Sequence, residues 1–261
     1  MRPADLAALV LAAGVGKRLR PLTFIRPKPL CPINNVPLID LAFSEVTQLL
    51  GPLGPDRIAV NAHHLAEQIV AHASDRAHLS IEQPQALGTA GAIGLLREWI
   101  SGRPLLVRNT DVWRDGSVPS SFIDDWDGTA PRLLVVEDHK RADFGAQWRY
   151  AGLSLLPWSD ASALPPQPQG LYEAVWAPAE AAGRLELITT DAPFIDCGTP
   201  RDYLRANLAA SGGESVIGPG AVVEGEVIRS VVWPDGIVPK GERLVESIRV
   251  GADLTVHAPL S

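Results

Sequence analysis

Lys17, Arg18, Arg20, Arg26 and Lys28 all fall within residues 11–30, LAAGVGKRLRPLTFIRPKPL, and no acidic residue lies between Asp5 and Asp40. The chain carries a formal net charge of −7, so this is a basic loop in an acidic protein, and it asks for an anion. It follows an apolar run, Leu6 to Ala13, that reads as a buried parallel strand. Gly14 and Gly16 then remove the side chains that keep a backbone away from a ligand. Exposed amides flanked by guanidinium and ammonium groups form a cradle for a polyphosphate. Two familiar phosphate loops do not fit. The dinucleotide pattern needs a third glycine where Leu19 stands, and the Walker pattern needs Ser or Thr after Gly16-Lys17, where Arg18 stands.

The stretch resembles, residue for residue, the signature of the sugar-1-phosphate nucleotidylyltransferases: an apolar strand, Ala-Ala-Gly-x-Gly-x-Arg-Leu, Pro-Leu-Thr, then Pro-Lys-Pro-Leu. A second segment, IEQPQALGTAGAIGLL at 81–96, is similar to the Leu-Gly-Thr-Ala-Gly base-binding segment of that family. The resemblance implies nucleotide contacts at Ala13, Gly14, Gly16, Gln83, Gly88 and Thr89, with Gln83 on the base edge and Gly88 where the base approaches. Read without it, Gly88 and Gly91 serve close helix-to-strand packing, and the two readings are compatible. Asp111, after LLVRN, and Asp196, in PFIDCGTP, would alone read as turn or cap residues; both match family motifs that hold Mg²⁺. A hard cation of that kind takes a few carboxylate oxygens, waters and the phosphates of the substrate. The resemblance also implies catalytic roles for Arg18 on the triphosphate and Lys28 on the attacking and α-phosphates, and sugar contacts at Asn109 and at Gly152 in RYAGLSLLP.

The implied reaction joins a nucleoside monophosphate, from GTP or UTP, to a sugar 1-phosphate. Runs at 60–72, 109–115, 141–144 and 149–157 are most similar to short members acting on mannose 1-phosphate or N-acetylmuramate 1-phosphate, and the Glu-Lys-Pro motif of some thymidylyl and uridylyl members is not evident. Thr110 stands where the family has glycine, and Arg108 is also unusual; both bear on the sugar pocket. Two alternatives share the motifs: a silent paralogue that binds nucleotide sugar and regulates a partner, and a same-fold enzyme for a non-sugar phosphate such as phosphocholine.

These residues need a scaffold that delivers them to one sheet end. Strand-like runs at 57–61, 104–109 and 131–137 alternate with helical spacing at 38–50, 64–73, 89–100 and 171–182, which means an α/β domain with a parallel, helix-covered sheet. Ligands of such sheets bind beyond the carboxyl ends of the strands. The family fold is Rossmann-like, with a mixed, mostly parallel sheet, and the catalytic domain is expected over residues 1–211. The proline-rich run 162–170 reads as a connector, with a lid over the sugar side as the other reading. From 212 to 261 the texture changes: Val232, Val238, Leu244, Val250 and Val256 recur every six residues, with Ile217 and Val223 an earlier pair out of phase. A six-residue apolar repeat marks a left-handed parallel β-helix, and so short a one is expected to lean on the catalytic domain or to assemble a homo-oligomer.

Composition limits the partners. The acidity argues against nucleic acid, and no apolar run is long enough to span a bilayer. No signal-like leader precedes Leu6, so the expected location is cytoplasmic. Cys31 and Cys197 have no paired spacing and read as ordinary thiols, and His63, His64, His72 and His78 have no metal-ligand spacing.

Overall fold

The computed structural model describes residues 5–260, so the outermost residues of the expected domain and tail, 1–4 and 261, lie outside the description. The chain divides into two compact units. The first holds the residues up to Val15, Ala42–Thr110 and Gly116–Phe194; the second holds Gly16–Leu41, Asp111–Asp115 and the chain from Ile195 onward.

The first unit is built on a seven-stranded sheet. Its strands are β1 (Ala7–Leu11), β2 (Ile58–Ala62), β3 (His78–Ile81), β4 (Leu105–Asn109), β5 (Arg132–Glu137), β6 (Trp148–Leu156) and β7 (Glu186–Thr189). They lie in the order β7-β5-β6-β4-β1-β2-β3. β1 pairs in parallel with β2 and β4, β2 with β3, and β5 with β7, whereas β6 runs antiparallel to β4 and β5. The sheet is therefore mixed and mostly parallel. The central strands β1, β2 and β4 are almost wholly buried runs of Ala, Ile, Leu and Val, as strands covered on both faces must be.

Helix α1 (Leu38–Leu50) has the range its spacing predicts, and α2 (Ala66–Ala73) begins two residues late, after Leu65 in the left-handed region. The helix expected over 89–100 is α3 (Gly88–Leu95), a break at Leu96, and a short turn Arg97–Ile100. Gly91 and Gly94 in its interior weaken it, each costing about 1 kcal/mol of helix propensity relative to Ala. The helix expected over 171–182 is a π turn, Tyr172–Trp176, followed by Ala177–Ala181, with Pro178 unable to supply a backbone donor.

In the second unit, residues 212 onward share one hydrophobic cluster with the basic stretch. Leu19, Leu22, Ile33 and Leu38 pack with Val216, Val231, Trp233 and Ile248, and with Tyr203 and Leu204 of α4 (Pro200–Ala210). The tail forms short strands stacked in three parallel sets: 216–217 on 231–232 on 248–249, 222–223 on 237–238, and 226–228 on 243–245. Val232, Val238 and Leu244, six residues apart, make a buried cluster inside it. Ile217 and Val223 stand in register with Val232 and Val238 but begin their stacks, with no further strand beyond them among the described residues, and are 40% and 37% exposed. The repeat also ends earlier than its spacing suggests: Val256 lies on Leu254–His257, which turns back antiparallel to Ser247–Val250 instead of starting another rung.

Candidate active site

In the second unit the basic stretch leads into a short helical turn, Lys28–Leu30, that carries Lys28 inward, where it is 8% exposed. Its Nζ lies 3.4 Å from Asp111 Oδ2 and 3.9 Å from Asp196 Oδ1. The Arg18 guanidinium approaches the other oxygen of Asp196 at 3.7 Å, with most of its side chain in solvent. Asp111 precedes the strand Val112–Arg114 and Asp196 ends Phe194–Asp196; these two strands pair, and the Cys197 amide donates to the Asp111 carbonyl at 2.8 Å. Pairing of two short strands thus brings together carboxylates that are far apart in sequence.

The motif residues around this cluster have local reasons. Gly16 has φ 62°, and a Cβ there would lie 2.8 Å from Thr23 Cγ2 and 3.3 Å from Lys28 Cβ. Buried Thr23 in turn donates its hydroxyl to the Gly16 carbonyl at 3.0 Å, which is the structural content of Pro-Leu-Thr. A Cβ at Gly198 would meet Arg18 Nη2 at 2.6 Å and Asp196 Oδ1 at 2.8 Å, so Asp-x-Gly-Thr-Pro needs its glycine to let the carboxylate and guanidinium meet. Thr199 caps α4, accepting from the Asp202 amide at 3.1 Å, and Pro200 starts the helix. Cys197 and Cys31 are fully buried, and burial pushes each thiol up to about 12, so neither is a nucleophile.

In the first unit Gly14 is exposed, outside the left-handed region, with nothing within 4 Å of where a Cβ would sit. Among the described residues neither packing nor backbone geometry demands glycine there. The base segment is different. Gly88 has φ 69° and a Cβ there would lie 2.6 Å from the Gln169 carbonyl; Gly91 faces the Gln167 carbonyl and Gly94 the backbone of Pro165. The run 162–170 is therefore bound along the glycine face of α3, with Ala90 and Gln169 donating backbone bonds to Gln169 and Leu87 at 3.0 Å. Thr89 Oγ1 accepts from the Leu171 amide at 2.7 Å. Gln83 is exposed and Ala13 is buried beside Gly14. Asn109 ends β4, and Gly152, φ 82°, sits where the β5–β6 register slips, a bulge that only glycine takes readily.

The two departures are accommodated. Thr110 has no positive φ, and its hydroxyl donates to the Leu11 carbonyl at 2.6 Å across the ends of β4 and β1. Buried Arg108 pairs with Glu45 of α1 and donates to the Asn109 carbonyl. A further pair escapes motif reasoning. Asn61 Oδ1 accepts from the Ala12 amide at 2.6 Å, its Nδ2 donates to Glu82 Oε1 at 2.7 Å, and Glu82 Oε2 accepts from the Leu87 amide at 2.6 Å. Glu82, wholly buried, ties the end of β1 to the start of α3. Its only trace in the sequence is an acid closing a strand next to Gln83.

The donor set suits a hard cation: two carboxylates beside a lysine, with no cluster of three or more His, Cys, Asp or Glu among the described residues that could hold a metal by itself. Such a site is completed by water and substrate phosphates. Among the described residues no helix is long and apolar enough to cross a membrane.

Residues 7–145 match the family model described as nucleotidyl transferase. The chain is 33% identical over 138 residues to N-acetylmuramate alpha-1-phosphate uridylyltransferase of Caulobacter vibrioides, covering 49% of this chain and 55% of that one. It is 26% identical over 231 residues to mannose-1-phosphate guanylyltransferase 1 of Arabidopsis thaliana, covering 76% of this chain and 63% of that one. The chain thus spans less than two thirds of the length of these relatives. A solved structure from Thermus thermophilus, described as mannose-1-phosphate geranyltransferase, superposes with a TM-score of 0.69 at 20% identity, over 97% of this chain and 94% of that one, and shares the fold. With more than half of its length matched by the family model and the motif side chains grouped in this way, the chain belongs to the nucleotidyl transferase family.

Proposed function

We propose that this protein transfers a nucleoside monophosphate from a nucleoside triphosphate, GTP or UTP, to a sugar 1-phosphate, giving a nucleotide sugar and pyrophosphate. The observation that carries this reading is the grouping of Lys28 with Asp111 and Asp196, and of Arg18 with Asp196, in a chain whose relatives are named for that reaction. Arg18 and the amides around Gly14 and Gly16 hold the triphosphate, Gln83, Gly88 and Thr89 serve the base, and Asn109 and Gly152 serve the sugar. Ala13, beside Gly14, serves the nucleotide as well. Lys28 offsets charge on the attacking phosphate and on the α-phosphate, where charge builds up as the sugar phosphate oxygen attacks in line and pyrophosphate leaves. No protein base is needed, because phosphate oxygens are nucleophilic at neutral pH; positioning and charge neutralisation supply the rate. Asp111 and Asp196 would hold Mg²⁺, which when bound supplies Lewis-acid neutralisation of phosphate charge. The two buried free thiols suit a reducing cytoplasm.

The stacked tail strands, with inward residues six apart, support two to three turns of a left-handed parallel β-helix. Exposed Ile217, Val222 and Val223 at the start of the stacks support a homo-oligomer formed through that end. Light scattering at micromolar concentration tests this, and a stable monomer would overturn it.

The test of the reaction is pyrophosphate release with four nucleoside triphosphates against a panel of sugar 1-phosphates that includes mannose and N-acetylmuramate. Release is expected with GTP or UTP and one of the sugars, and its loss in EDTA. No release with any pair would sink the reading, and release that persists in EDTA would remove the metal from it.

A further inference from the structure

The segment that carries Lys28 is tied to the tail residue Trp233 at both ends, directly at its start and through Tyr203 of α4 at its end. At its start the Arg26 guanidinium lies 4.8 Å over the Trp233 ring. At its end the Pro32 carbonyl accepts the Tyr203 hydroxyl at 2.5 Å, and that hydroxyl accepts from Trp233 Nε1 at 2.9 Å. Trp233 and Tyr203 are 1% and 0% exposed, so these bonds are made away from water, where leaving one unmade costs most. Between the two ends the backbone is a single tight turn, with Leu30 donating to Pro27 at 2.8 Å and Cys31 to Lys28 at 3.0 Å. A turn fixed at both ends has little freedom to relocate the ammonium group in its middle. Trp233 also belongs to the cluster that holds Leu22, Cys31 and Ile33, so the tail supplies part of the core under this segment.

We propose that Trp233, acting through Tyr203 and Arg26, is a positioning residue for Lys28, so that the tail holds the phosphate-neutralising lysine in place within its own chain. The inference rests on the function proposed above, but its first test does not. In the whole 261-residue chain, brief acetylation followed by mass spectrometry reads the accessibility of Lys28 against the exposed Lys17, Lys140 and Lys240. Tyr203→Phe keeps the ring and removes both hydrogen bonds; Trp233→Phe keeps an aromatic face for Arg26 and removes the Nε1 donor. In both variants Lys28 should label several-fold faster than in the wild type while the three reference lysines are unchanged. Lys28 labelling at the wild-type rate in both would overturn the proposal.

The second readout is turnover. Each variant should lower kcat roughly 10-fold, as misplacement of a catalytic group does, with nucleotide affinity held within about two-fold. In a Lys28→Gln background the same changes should add no further loss. Equal losses in both backgrounds would mean that Trp233 and Tyr203 act on the fold at large, and the proposal fails. If the wild type turns over no substrate pair, the proposed function fails and the labelling result alone decides this inference. Should Tyr203→Phe not fold, Trp233→Phe carries the same test.

Discussion

In the unit that begins at Gly16, the motif residues meet one another: Lys28 touches Asp111 and Asp196, Arg18 touches Asp196, and Gly198 is glycine so that they can. In the unit that holds the sheet, most motif residues meet the fold instead. Gly88, Gly91 and Gly94 are filled by the backbone of 164–169, and Thr89 is bonded to Leu171. Gly14 differs: apart from its chain neighbours, no described residue comes within 4 Å of where its Cβ would sit. A shared signature therefore mixes two kinds of demand, one from chemistry and one from packing, and the space around each side chain separates them.

The largest contrast is expected at the charged cluster. Lys28→Gln should lower kcat by roughly 10²- to 10³-fold, the effect of removing one preorganised donor at the transition state, with a smaller change in triphosphate KM. If only KM moves, the cluster binds substrate but does not act on the transition state, and the contrast between the units loses its chemical half.

Glycines come next, and they should split. Gly91→Ala forces a methyl group against the Gln167 carbonyl and should destabilise the fold by about 1–3 kcal/mol, read as a lower urea midpoint. Gly14→Ala should leave that midpoint in place and raise triphosphate KM roughly 10-fold, the effect of one lost hydrogen bond to a charged group, about 1.5 kcal/mol. The reverse assignment, with Gly14→Ala destabilising and Gly91→Ala kinetically impaired but stable, would undo the distinction.

The smallest effect is alkaline. Burial raises the Cys31 and Cys197 thiols from 9.0 to about 12 and raises the Tyr203 hydroxyl well above its ordinary value. A group whose folded value is raised contributes stability that is intact below the unfolded value and is lost as pH rises through the folded one. The urea midpoint should hold up to about pH 9 and fall progressively toward pH 12, and both thiols should resist alkylation in the native protein at about pH 8. Rapid native-state alkylation of either would contradict the burial.

Much of this was legible in the chain. The central strands β1, β2 and β4 announce themselves as apolar runs because both faces are covered, and α1 does so by its spacing. β3 and β7 do not: they are the two edges of the sheet, half in solvent, and His78, Ser80, Glu186 and Thr189 blur their pattern. The π turn at 172–176 has no periodic signal of its own. Only the family resemblance points to Arg18, Lys28, Asp111 and Asp196, since no spacing rule joins residues that only strand pairing brings together. The Asn61–Glu82 pair and the Trp233–Tyr203–Pro32 chain were not legible, because each rests on contacts between distant segments that leave no local pattern.

One measurement tests the central claim most directly. A nucleoside triphosphate labelled at the α-phosphate, GTP and UTP in turn, is incubated with the protein, Mg²⁺ and a sugar 1-phosphate, and the label is followed by chromatography. The account predicts that α-label appears in a nucleotide sugar while label at the terminal phosphate leaves as pyrophosphate, and that Asp111→Ala and Asp196→Ala, still folded, abolish both. Terminal label released as inorganic phosphate, or α-label that stays in the nucleotide with every sugar tried, would contradict it.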